Sequence, residues 1–157
     1  MIFIPGQVMS KKNSTRIWQK NVTNKVTGKQ SKIPFVTASK QYKQWAKDTE
    51  EFWWKNKIEF LRLTKDIPKP WIIGLHFVRN SKQKFDFNNM SQGVMDEMQH
   101  YAWLVDDDMD ECFPVPFTRE HFPNKGALYL DQSNQYYTID KESPGVYISL
   151  FKTMILQ

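Results

Sequence analysis

Five carboxylates fall within seven residues in the stretch VDDDMDE, residues 105–111: Asp106, Asp107, Asp108, Asp110 and Glu111. Like charges this dense repel, so the run needs either a cation or a solvated loop that disperses its field. Oxygen donors without histidine or cysteine suit magnesium or manganese, and such an ion polarises a phosphoryl oxygen and helps generate hydroxide. A further carboxylate, Asp86, precedes a stripe formed by Met90, Val94, Met98 and Tyr101 that reads as a helix, with Asn88 or Asn89 as its cap. A helix over about 88–100 climbs ~18 Å, and an extended return through Ala102 to Asp107 covers ~17 Å. The expectation is that Asp107 comes back to the level of Asp86, gathering Asp86 with Asp106, Asp107 or Asp108 around one ion. The competing reading is an exposed acidic turn in which Asp106 caps something local, and on the five acids alone that reading is slightly ahead.

Other chemistries that use such residues fit poorly. Asp106, Asp108 and Asp110 mimic the opening of a calcium loop, but Glu111 stands where glycine is required and Phe117 where the bidentate glutamate belongs. No Asp or Glu lies two residues before a Lys, as the restriction-type nuclease core needs. The lone Cys112 has no second cysteine for a disulfide, no zinc set and no nearby histidine partner. His76 sits inside the apolar run WIIGLHFV and reads as a satisfied structural histidine.

Charge points to the partner. The 157 residues carry 22 Lys and Arg against 17 Asp and Glu, a net of +5. Setting aside the five acids of VDDDMDE leaves 22 cations against 12 acids, or +10. Residues 1–47 hold ten cations (Lys11, Lys12, Arg16, Lys20, Lys25, Lys29, Lys32, Lys40, Lys43 and Lys47) and no acid. A solvated basic face is the bland explanation, but a stretch this long without one carboxylate favours a polyanion. No apolar run approaches the ~18 residues of a membrane span. The order of apolar residues and lysines at the start is the reverse of a secretory signal. The chain is expected to be soluble and cytoplasmic.

The elements that must position these groups form an α+β domain, residues 1–157, with a small mixed sheet and two main helices. IFIP (residues 2–5) reads as a short strand. Residues 6–33 form a basic arm in which RIWQ and KIPFVT are candidate arms of a loose hairpin, as compatible with a DNA-contacting arm that orders on binding as with a surface loop. Tyr42, Trp45, Ala46, Thr49, Phe52 and Trp53 repeat at helical spacing from Ser39 to about Phe60. WIIGLHFV is apolar on both faces and so a central strand. Gly93 in the second helix weakens it or admits a close neighbour. WLV reads as a short strand, Pro114 and Pro116 mark an edge, and GALYL, QYYTI and GVYISLF read as strands.

Taken together, FDFNNMSQGVMDEMQHYAWLVDDD resembles the central motif of the RusA-type Holliday junction resolvases, common in phages and prophages. That motif has Asp-x-Asp-Asn at a helix start, a Lys one turn on, an Asp inside the helix and an Asp-Asp pair after it. Asp86 matches the first Asp, Asn89 the Asn, Asp96 the helix Asp, and Asp106 with Asp107 the pair. IPGQVMSKKNSTRI, ASKQYKQW and GVYISLF also resemble family segments, and the likeness covers most of the chain apart from roughly residues 117–143. Two positions depart from it: Asn88 replaces the second motif Asp and Gln92 the Lys.

The resemblance implies a magnesium- or manganese-dependent endonuclease that cuts four-way DNA junctions as a homodimer. Asp86, Asn88 and Asp107 would be catalytic, with Gln92 in the place of the Lys. Asp86, Asn88, Asp106, Asp107 and Asp108 would hold the metal, the third Asp compensating for Asn88. Lys11, Lys12, Arg16, Lys20, Lys82 and Lys84 would hold DNA. The alternative is a protein of the same fold that binds branched DNA without cutting it.

Overall fold

The structure, a computed structural model, describes residues 1–9, 16–117 and 136–151, with the backbone alone at 16–18 and 34–37. Strand β1 (Ile2–Pro5) is followed by β2 (Arg16–Thr23) and β3 (Gln30–Thr37), then helix α1 (Lys40–Thr64). Strand β4 (Trp71–Arg79) leads to helix α2 (Phe87–His100), and β5 (Cys112–Pro116), β6 (Tyr137–Ile139) and β7 (Gly145–Phe151) complete the order. This is a mixed α+β arrangement. GALYL, Lys11, Lys12 and the greater part of the 117–143 stretch lie outside the described residues.

Strand β4 is the centre of the sheet, as its two-sided apolar pattern predicts. It pairs antiparallel with β7 on one side, while β5 and β6 run parallel along successive halves of the other. The β1 strand closes the far edge against β7. Pro114 and Pro116 fall on β5, an edge strand, where a missing N–H disturbs no inner ladder. His76 is 2% exposed, with Nδ1 2.8 Å from the Phe117 carbonyl and Nε2 2.8 Å from Thr138 Oγ1. Both ring nitrogens are satisfied, so it is a structural histidine.

Helix α1 starts at Ser39, whose hydroxyl accepts from the Tyr42 amide at 3.0 Å, and runs four residues past Phe60. Its inner face buries Tyr42, Trp45, Trp53 and Phe60 against the sheet and α2. Trp103 joins this aromatic core, its ring 5.3 Å from that of Trp53 and 5.0 Å from that of Phe60. Gly93 of α2 admits Tyr42: a Cβ there would lie 3.0 Å from Cε2 of that ring and 3.4 Å from the Met9 carbonyl. The Tyr42 hydroxyl donates to Glu97 Oε1 at 2.8 Å and lies 3.2 Å from the Gly93 carbonyl. Burial, then the neighbouring Glu97 carboxylate, raises the Tyr42 pKa, so the phenol stays protonated and holds α1 to α2.

Two local expectations are corrected. The cap of α2 is Asp86 rather than Asn88 or Asn89: its Oδ1 accepts from the Asn88 amide at 2.9 Å and the Asn89 amide at 3.3 Å. A carboxylate before the first turn meets the positive end of the helix dipole as well as its orphan N–H groups, which outweighs the neutral amides that follow. WLV is not a strand. Ala102 takes a left-handed φ of 54°, and Trp103 and Leu104 both donate to the Met98 carbonyl, burying their side chains under the helix end.

Candidate nucleic-acid interface and acidic loops

Strands β2 and β3 pair over eight residues, from Arg16 opposite Thr37 to Thr23 opposite Gln30. The loose hairpin is thus a regular one, its connection only residues 24–29 because Val22, Thr23, Gln30 and Ser31 join the ladder. Its tip is braced by Asn24, whose side-chain oxygen accepts from the Val26 and Thr27 amides at 2.9 and 3.2 Å. The Gly28 amide donates to the Asn24 carbonyl at 2.9 Å, and Gly28 itself has φ +68°, a conformation that only glycine takes without strain. Lys20, Lys25, Lys29 and Lys32 are all exposed. Lys20 pairs opposite Ile33 and Lys32 opposite Asn21, so by the two-residue alternation they stand on opposite faces, with Lys25 and Lys29 at the tip between them. The hairpin is therefore cationic on both faces and at its end. The Arg16 backbone opens β2.

The acidic run resolves into nested turns. Asp106 Oδ1 accepts from the Asp107 amide at 2.8 Å, and Asp108 Oδ1 from the Asp110 and Glu111 amides at 3.0 and 2.9 Å. Glu111 is tied to Lys69 Nζ at 2.5 Å, and its carbonyl accepts from the Trp71 amide at 2.8 Å, leading the chain into β5. Backbone N–H groups and one lysine thus share the charge with solvent. Cys112, buried behind the run, has its thiol pushed up to about 12, first by burial and then by Asp107, Glu111 and Asp108. It is a packed, protonated thiol rather than a nucleophile.

The expected return of Asp107 to the level of Asp86 is not observed. Gln99, in the last turn of α2, donates through Nε2 to Asp106 Oδ1 at 3.2 Å. From Asp86 to Gln99 the helix rises ~20 Å, and Asp106 stays beside that far end. The sheet agrees: Phe85 and Phe87, flanking Asp86, pack on Phe77 with ring centroids 5.9 Å away, whereas Glu111 meets Trp71, ~20 Å earlier on β4. The physical reason is the reversal at Ala102. The residues assumed to run back extended instead make a tight turn, bury Trp103 and Leu104, and form the Asp106 and Asp108 turns. Among the described residues no three His, Cys, Asp or Glu side chains are grouped closely enough to hold a metal ion.

At the Asp86 end, Asp86 Oδ2 accepts from Asn89 Nδ2 at 3.0 Å, so both carboxylate oxygens are engaged in the cap. Asn88 is exposed and Gln92 half-buried one turn further along. Lys82 and Lys84 are exposed in the connection from β4 to α2. A residue missed by the sequence reading stands beside them. Arg79, at the end of β4, is 7% exposed, its guanidinium lies 4.5 Å from the Phe85 ring centroid, and it donates to the Gln83 carbonyl. Among the described residues its Nε has no hydrogen-bond partner and no carboxylate pairs with the guanidinium. The available signal was a cation closing a central strand, just before the connection to Asp86. Asp96, the position matched to the helix Asp, is half-buried and lies with Tyr42, Glu97, Gln99 and His100 around a polar hollow of about 370 Å³.

Comparison of the chain with protein-family models, with curated proteins and with solved structures found no match. No helix among the described residues is long and apolar enough to cross a membrane.

Proposed function

We propose that the protein binds branched DNA, four-way junctions foremost, through the β2–β3 hairpin. The observation that carries this reading is a braced, acid-free hairpin with Lys20 and Lys32 on opposite faces and Lys25 and Lys29 at its tip. A flat duplex meets one face of such a ribbon. A junction offers phosphates on both sides of a narrow opening, which matches cations on both faces. Lys82, Lys84 and the buried Arg79 add positive potential near the start of α2, beside the Asp86 carboxylate that caps it.

The second reading, metal-dependent cleavage of such junctions by a RusA-like nuclease, is supported by the register of Asp86, Asn89, Asp96, Asp106 and Asp107 in the sequence. It requires carboxylates that lie at opposite ends of α2 within one protomer to act on a single phosphate. Asn88 in place of a carboxylate and Gln92 in place of a lysine weaken it further. For that reason binding without cleavage is placed first.

The test incubates the protein with a labelled four-way junction and an equal-length duplex, in magnesium, in manganese and in chelator, beside an Asp107→Asn variant. Salt-sensitive retention of the junction over the duplex, with no nicking in either metal, is the expected result. Symmetrical metal-dependent nicks that vanish in Asp107→Asn would replace it with the nuclease reading. Equal, weak binding to both DNAs would refute both readings.

A further inference from the structure

Arg79 is a buried cation to which the described residues offer no counter-charge. It closes β4, and its backbone is fixed by the Asp140 amide, which donates to the Arg79 carbonyl at 2.9 Å. The guanidinium lies over the Phe85 ring, which is itself held by edge-on contacts with Phe77 and Tyr137 at centroid distances of 5.9 and 5.3 Å. A planar cation stacked on an aromatic face keeps its in-plane N–H donors for another group. Among the described residues only Nη1 is used, on the Gln83 carbonyl, while the buried Nε has no partner. The edge formed by Nε and Nη2 is one that grips two oxygens of an anion side by side.

The nearby carboxylates are engaged elsewhere. Asp86 accepts from the Asn88 and Asn89 amides and from the Asn89 side chain, and Asp140 Oδ1 accepts from the Glu142 and Ser143 amides at 2.9 and 3.2 Å. Burial pulls the Arg79 pKa down, and the neighbour that opposes this is the Tyr137 phenol, not a carboxylate. Arginine stays protonated even so. The fold therefore holds a buried charge without a counter-charge, an arrangement that is strongly unfavourable until an anion completes it. Lys82 and Lys84 are exposed on either side of Gln83, so residues 79–86 carry three cations against the single acid Asp86. Residues 80–86 belong to no helix or strand, and the Gln83 carbonyl can give way to a stronger acceptor without disturbing the sheet.

We propose that the connection from β4 to α2 is a site for one phosphoryl anion, gripped by Arg79 and flanked by Lys82 and Lys84. Phosphate suits it better than a carboxylate, because it offers oxygens to the guanidinium edge and to two ammonium groups at once. The anion is either a diester of the DNA backbone or a free phosphate. Only the first source rests on the DNA reading, and the site is tested without DNA, so either idea can fail alone.

Thermal unfolding followed by tryptophan fluorescence, at constant ionic strength, compares the full chain in chloride, inorganic phosphate and dimethyl phosphate. An anion that binds the folded chain raises the midpoint as its concentration rises. The general salting effect of phosphate is common to all variants, so binding is read as the difference between wild type and variant. Arg79→Met is expected to be at least as stable as the wild type in chloride, since the unpaired charge is gone, and to lose at least ~10-fold in phosphate affinity. Arg79→Lys keeps the charge without the fork and is expected to lose ~10-fold as well. Lys82→Gln and Lys84→Gln are each expected to lose ~3-fold. A response to dimethyl phosphate as well as to phosphate assigns the site to the DNA backbone, and a response to inorganic phosphate alone assigns it to a free phosphate. An equal phosphate response in the wild type and Arg79→Met, an undiminished one in Arg79→Lys, or an Arg79→Met chain less stable than the wild type in chloride would each overturn the proposal.

Discussion

Replacing Lys20, Lys25, Lys29 and Lys32 together with glutamine removes the hairpin's described charge without touching the core, since all four are exposed and lie on β2, β3 or their connection. Each phosphate neutralised by a cation contributes ~0.9 to the slope of log affinity against log salt. Were one face to lie flat on DNA, the two tip lysines and Lys20 would engage and Lys32 would point away, so the slope would flatten by about 2.7. With the hairpin inserted between junction arms all four engage, and the change is about 3.6. Between about 50 and 200 mM salt, the wild type should therefore lose ~40-fold more affinity than the variant in the flat geometry and ~150-fold more in the inserted one. Fluorescence anisotropy with a labelled junction and a labelled duplex reads both slopes. The inserted geometry requires the junction slope to exceed the duplex slope in the wild type and the two to converge in the variant. A change of less than one on both DNAs would show that the hairpin does not contact phosphate, and the function proposed above would fall with it.

Three further outcomes follow from side chains at the ends and underside of α2. Asp86→Ala should cost about 1 kcal/mol in urea unfolding through the lost cap, while Asp86→Asn, which can also cap, should cost less; equal losses would contradict the cap assignment. Tyr42→Phe deletes the hydrogen bond to the buried Glu97 carboxylate and should cost ~1.5–3 kcal/mol by the same measurement, so an unchanged midpoint would deny that this bond holds α1 to α2. Cys112 binds its proton more tightly folded than unfolded, so its contribution is fully present below the ordinary thiol value of 9.0 and is lost as pH rises through about 12. That interval corresponds to ~4 kcal/mol at most; thiolate absorbance of this single cysteine should appear near pH 9 in urea but well above it in the native chain, and coincident titrations would refute the burial argument.

Periodicity and turn chemistry carried most of the architecture into the sequence. The alternation in IFIP, the two-sided apolar run WIIGLHFV and the helical spacing from Tyr42 to Trp53 each report a burial pattern that one segment enforces by itself, and those elements appear where expected. The β2–β3 ladder was legible in kind but short in extent, because Thr23 and Gln30 look like loop residues until their pairing partner is known. Boundaries moved where two local devices competed. At α2, amide side chains inside the motif looked like caps, but the carboxylate one step earlier satisfied two backbone amides and the dipole at once.

The placement of the acids was the least legible property, since it depends on a single backbone choice. A chain leaving α2 can run back extended or fold under its own helix end, and the lengths alone favour neither. The aromatic cluster decides. Trp103 reaches Trp53 and Phe60 only if the chain reverses at once, its indole N–H donating to the Trp53 carbonyl at 3.0 Å, and Leu104 is buried beside it. Burying a tryptophan and a leucine is worth several kcal/mol on the scale of ~1.5–3 kcal/mol per large apolar side chain, against which one non-glycine residue at positive φ, Ala102, costs roughly 1–2 kcal/mol. The same apolar residues that read as a short strand in WLV are therefore the force that keeps Asp106 beside Gln99, and an acid pair matched by spacing to one end of a helix is held at the other.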